Sequence, residues 1–141
     1  MKPLQSVVRS VMLAPAAAAT TARTANLDCA GADYAVIEIV LSAEVNTNST
    51  NVALRLLESD TTVATTFATF NSALNVTLDN TAAGIHVANV DLKGNRKRYL
   101  RVELTPDTTT NGAVLSTVVG VLDPEIKNAA NSSNATTVLV G

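Results

Sequence analysis

The chain has no tryptophan, and aromatic residues make up 3% of its 141 residues. Two Tyr and two Phe leave little surface for stacking on sugars or bases. A single cysteine, Cys29, excludes an internal disulfide. It sits in LDCAGAD without a paired thiol and reads as a small buried hydrophobe, compatible with an intracellular folding compartment. A single histidine, His86, has no second ligand at metal spacing, so no metal site is expected and the residue reads as structural. Charge is sparse: 16% of residues, a net charge of −2 and a pI near 5.2 argue against nucleic acid as the main ligand. No apolar run approaches the ~20 residues that span a bilayer. There is no Gly-rich phosphate loop, no nucleophile elbow and no defensible Ser/His/Asp order. Glu58 and Asp60 in LLESD could form a carboxylate pair, but a strand end running into a turn is the simpler reading. The expectation is therefore no catalytic residues, no cofactor and no enzyme.

What the chain does have is 47% hydrophobic residues, dominated by small and β-branched side chains that favour sheets. Its length suits one domain that buries about two-thirds of its unfolded surface. Turn signals recur between short alternating runs. Arg23–Asp28 reads as a weak first strand and 34–42 as the strongest. Ala35, Ile37, Ile39 and Leu41 form one face of the latter. Tyr34, Val36, Glu38 and Val40 form the other, also largely apolar, which places the strand centrally. Glu38 then needs a cation or a hydrogen-bond donor, with Arg55 and Arg101 as candidates. Further strands are expected at 52–60, 65–70, 73–78, 85–92 and 113–122, with Pro124 as a stop. Four N-x-Ser/Thr sequons, at Asn48, Asn75, Asn131 and Asn134, matter only in a eukaryotic secretory context.

The segment KGNRKRYLRVEL, 93–104, organises the remainder. Lys93-Gly94-Asn95 predicts a turn, and Arg96 to Leu104 a strand. Arg98, Leu100, Val102 and Leu104 share one face; Lys97, Tyr99, Arg101 and Glu103 share the other. Lys93, Arg96, Lys97, Arg98 and Arg101 form a local cationic cluster, read as a solvated turn or as partners for acidic groups on another protein. Seven or eight short strands with regular turns predict an all-β antiparallel β-sandwich, jelly-roll-like, over residues 22–124.

Both ends read as appendages. Residues 1–21 predict an extended N-terminal arm and linker. Leu4, Val7, Val8, Val11 and Met12 fall at helical spacing, and APAAAATT reads as a linker. The start also mimics a secretory signal, although Arg9 and Ser10 split its apolar run and Pro15 interrupts what remains. Residues 125–141 predict a polar C-terminal tail, whose last apolar residues, Val138 to Val140, either fray or pair with a sheet edge.

KGNRKRYLRVEL, the Thr/Gly-rich loop after it and the strand AVLSTVVGVL resemble the C-terminal half of a family of small tailed-phage virion proteins. Asp33-Tyr34 followed by AVIEIVLSAEV, and then NVALRLLESD, resemble the same family's central strands. The resemblance covers roughly residues 20 to 124. It implies a capsid decoration (cement) protein on the capsid surface, with the major capsid protein as partner and a cyclic homo-oligomer, a trimer first. The candidate interface is then the arm residues Leu4, Val7, Val8, Val11 and Met12 with Tyr99, Arg101 and Glu103 on the strand. A tail or head-fibre component shares the same fold. A secreted carbohydrate-binding β-sandwich fits the signal-like start and the Thr/Asn-rich loops, against the shortage of aromatics.

Overall fold

The computed structural model describes residues 8–18, 22–43, 51–69, 72–79, 82–94, 96–106, 114–123 and 137–140. Ten strands and two short 3-10 turns occur among them, and no α-helix. In chain order the strands are β1 (Val8–Ala18), β2 (Arg23–Asp28), β3 (Tyr34–Leu41), β4 (Asn51–Ser59), β5 (Ala68–Thr69), β6 (Val76–Asp79), β7 (Gly84–Asp91), β8 (Tyr99–Pro106), β9 (Val114–Asp123) and β10 (Thr137–Val140). No described helix is long and apolar enough to cross a membrane.

The pairing is nested. β1 pairs with β9, β2 with β8, β3 with β7 and β4 with β6, all antiparallel. The chain thus behaves as one long hairpin with its tip between β4 and β6. The hairpin is wrapped so that β3 also meets β9 and β4 also meets β8. The result is two sheets, ordered β1-β9-β3-β7-β10 (sheet A) and β2-β8-β4-β5, with β6 also on β4 (sheet B). The eight nested strands divide between the sheets in the jelly-roll order. β10 is an addition, and among the described strands it alone pairs in parallel.

Alternation explains why these segments are strands and where the core lies. Ala35, Ile37, Ile39 and Leu41 on β3 point inward and are almost fully buried. So do Val52, Leu54 and Leu56 on β4, and Leu100, Val102 and Leu104 on β8. Together with Leu27, Leu74, Leu78, Ala88, Val90, Val118 and Leu122 they form one continuous apolar cluster between the sheets. Each fully buried Leu, Ile or Val contributes roughly 1.5–3 kcal/mol, so this layer carries the fold. The reading of an all-β sandwich holds.

Several local expectations are corrected. The stretch read as helical is strand from Val8 onward; Leu4 and Val7 lie outside the described residues. β1 slips register between Val11 and Leu13 and again between Leu13 and Ala16. The first slip turns both Met12 and Leu13 onto the core, which gives a strand the apolar spacing of a helix. The supposed Ala-rich linker continues β1 through Ala18, with Pro15 inside the second irregularity, where a missing N–H costs no ladder bond. The strand expected from Arg96 starts at Tyr99, because Arg96, Lys97 and Arg98 turn outward to acidic partners. The run 65–70 starts inside a 3-10 turn, Ala64–Thr66, and is strand only in the two-residue β5; Phe70 lies outside the described residues. Within the polar tail, Thr137–Val140 is β10, paired with β7 in the register Thr137 to His86 through Val140 to Asn89.

Candidate interaction surfaces

On the outer face of sheet B, polar side chains bond to partners within the chain. β8 places Arg101 beside Asn26 of β2, where its Nε donates to Asn26 Oδ1 at 2.8 Å. Its Nη1 donates to the Ala64 carbonyl at 3.3 Å, and the guanidinium lies 3.8 Å from the centroid of the Phe67 ring. The segment after β4 is thereby pinned over the sheet. Ser59 is buried beneath it, sharing a hydrogen bond with Thr66 Oγ1 at 2.6 Å. Glu103 pairs with Arg55 at 3.3 Å. Tyr99 is half-buried, with the Arg98 guanidinium 5.0 Å from its ring centroid. Tyr99, Arg101 and Glu103 do share one face, as expected, but Arg101 and Glu103 bond within the chain and a cation lies over the Tyr99 ring.

Three members of the cationic cluster, Arg96, Lys97 and Arg98, pair with acids inside the chain. Lys97 Nζ lies 2.5 Å from Asp60 Oδ2, and Arg98 grips Asp28 through Nε (3.0 Å) and Nη2 (2.7 Å). Arg96 lies 3.9 Å from Glu58, whose Oε2 also accepts the Lys97 backbone N–H at 3.2 Å. The bond to Arg98 holds the Asp28 carboxyl below the usual carboxylate range, and the bond to Lys97 does the same for Asp60. These groups are exposed, so each pair adds little to stability. They frame an open depression of about 400 Å³ against the Cys29–Ala32 turn. Gly31 and Gly94 supply the positive φ values, 77° and 89°, that the turns at its two sides require. Cys29 lies buried at its floor, and burial pushes its thiol up to about 11, so it stays protonated and inert.

Neither proposed partner serves Glu38. Glu38 is on the outer face of sheet A between Val87 and Val119, whereas Arg55 and Arg101 belong to sheet B and bond elsewhere. The carboxylate is half-buried rather than buried, so water can reach it.

That outer face of sheet A is the open surface. Cross-strand neighbours form rows: Arg9, Val121, Val36 and Asn89 in one; Val11, Val119, Glu38 and Val87 in the next. A third row joins Thr117, Val40 and Ile85. Val11 is 65% exposed, and Val40 and Ile85 are 40% each. Val36, Val119 and Val121 are half-buried. β-branched side chains dominate, with Glu38 as the acid in the middle and Arg9 as the cation on the edge strand. Of the arm residues read as an interface, only Val11 lies on this face with its side chain described. Met12 packs against the core instead. The sequence signal for the face was the doubly apolar β3; its extent needed the register of β9 and β7.

His86 projects inward from β7, opposite Ile39, and is 1% exposed. Neither ring nitrogen has a hydrogen-bond partner among the described residues. Burial pushes its pKa down, opposed by the charge of Asp79. No group of three or more His, Cys, Asp or Glu could hold a metal ion among the described residues.

No protein-family model, no curated protein and no solved structure matches the chain.

Proposed function

We propose that the chain is a structural virion protein. In this reading it binds the outer surface of a phage capsid and stabilises contacts between major capsid subunits, as a homo-oligomer, a trimer first. The observation that carries an adhesive role is the contrast between the two sheets. On sheet B's outer face Arg101 and Glu103 bond to partners in the same chain, while sheet A exposes Val11, Val40 and Ile85 beside the half-buried Val36, Val119 and Val121. An apolar, weakly charged, rigid face suits burial against another protein. The assignment of that protein as a capsid subunit rests on the resemblance of KGNRKRYLRVEL, AVIEIVLSAEV and AVLSTVVGVL to small tailed-phage virion proteins. Many copies acting together convert modest affinity per site into large resistance to expansion.

The ring contacts disfavour the carbohydrate reading. Tyr34, Tyr99 and Phe67 each carry a cation over one face, from Lys93, Arg98 and Arg101 respectively. Those faces are not open for sugar stacking.

The test is quantitative mass spectrometry of purified particles, followed by rebinding of the recombinant chain to stripped capsids. About one copy per capsid subunit, or one per three, supports the proposal, and a handful per particle moves the chain to the tail. Val40→Glu and Ile85→Glu, on the outer face of sheet A, are expected to leave the fold intact and abolish rebinding. Rebinding by both variants at the level of the parent chain would sink this face as the contact.

A further inference from the structure

We infer that β10 is an exchangeable strand, donated to β7 of a second copy of this chain. This deepens the homo-oligomer part of the proposal above and does not depend on the capsid.

The eight nested strands already complete the jelly roll. Each of them has an antiparallel partner, and sheet A would end at β7 without β10. Among the described residues, β10 pairs with four of the eight residues of β7, from His86 to Asn89. Its attachment is parallel, unlike every other described pair. A detached β10 leaves the His86–Asn89 stretch of β7 as a sheet edge, which is a template for strand addition.

The connection is longer than its path. Asp123, where β9 ends, lies opposite Tyr34, which lies opposite Asp91 at the far end of β7. Thr137 starts level with His86. The chain must therefore cross three strand spacings and move back five residues, a span of about 22 Å. Residues 124–136 can reach about 45 Å. With twice the needed length, the connection that lets β10 reach its own β7 also lets it reach the β7 of a neighbour alongside. Donation in one direction around a ring is a heterologous contact that closes with cyclic symmetry. The product has the same hydrogen bonds as the closed monomer, so local concentration decides between them.

The experiment uses the full chain with single cysteines at register partners. Asn89→Cys and Val140→Cys chains, differing in mass by a tag, are mixed and oxidised under native conditions; the buried Cys29 does not take part. A disulfide between the two chains forms only if β10 of one lies on β7 of the other. The expected result is a mixed dimer several-fold in excess over either same-residue dimer. The native mass of the parent chain is expected to be that of an oligomer, falling to the monomer when residues 137–141 are deleted. A mixed dimer no more abundant than the same-residue dimers overturns the exchange, as does a double variant that closes only within one chain at every concentration. An oligomer that survives the deletion overturns the exchange but keeps the homo-oligomer. A parent chain that is monomeric at every concentration overturns both.

Discussion

Arg23 and Ser116 tie the two sheets together at one corner. Arg23 belongs to β2 of sheet B, and its Nη1 donates to Ser116 Oγ on β9 of sheet A at 2.8 Å. The same guanidinium donates to the carbonyls of Ala14 at 2.7 Å and Ala16 at 2.9 Å, at the second irregularity of β1. A planar fork with five donors can satisfy several acceptors at once, and a single ammonium cannot. Arg23→Ala is expected to lower stability by about 1–3 kcal/mol, with Arg23→Lys recovering only part of the loss. Urea titration of the three proteins checks this. Full recovery in the lysine variant would mean that charge alone matters.

Gly120 is required by contact rather than by backbone angle. A Cβ at this position would lie 2.9 Å from both Leu27 Cδ2 and Met12 Sδ. Gly120→Ala is expected to cost about 1–3 kcal/mol through overpacking. Adding Met12→Ala removes one of the two obstructing atoms and is expected to return part of that stability. Additive losses in the double variant would place the strain elsewhere.

Asn75 completes a ladder that its neighbours leave open. β6 pairs with β4 through Leu54, and β5 resumes at Leu57. The Leu56 N–H falls between them and donates to Asn75 Oδ1 at 3.0 Å. Asn75→Ala is expected to cost about 1–3 kcal/mol by orphaning that donor. Asn75→Asp keeps an acceptor there and is expected to cost less. Equal losses in denaturant midpoint would remove the hydrogen bond as the cause.

His86 sets an acid limit. In the unfolded chain it takes up a proton near its ordinary value of 6.5, whereas burial pushes its pKa below that in the fold. Below pH 6.5 the unfolded state therefore binds more protons. Stability is expected to fall as pH drops from about 6.5 through the folded-state value, and to be independent of this group above it. His86→Leu is expected to flatten the profile in that window. Asp28 and Asp60 have lowered values and lose their pairing only at more acidic pH, so their contribution is separable. An unchanged slope between pH 6.5 and 5 in His86→Leu would assign the acid sensitivity to other groups.

The legible parts of this fold were the strands whose alternation is undisturbed. β3 and β4 could be read almost to the residue because Ile37, Ile39, Leu54 and Leu56 keep strict period two. β1 could not, because its bulge places Met12 and Leu13 on the same side and mimics a helical stripe, and because Pro15 among alanines resembles a linker. Partners were less legible than elements. The acids for Lys97 and Arg98 are Asp60 and Asp28, brought close only by turns remote in sequence. The Val11–Val119–Glu38–Val87 row exists only through strand register, which no local pattern encodes.

The nesting of the strands also fixes how the molecule responds to load. Val8 faces Leu122, so the two strands that frame the outermost pair present neighbouring ends at one corner. Tension applied between those two residues pulls along the inter-strand hydrogen bonds and opens them one after another, as a zip does. Tension applied along the strands of sheet A would instead strain all rungs between β9 and β3 together. The molecule therefore resists load along its strands far better than load that separates the ends of β1 and β9.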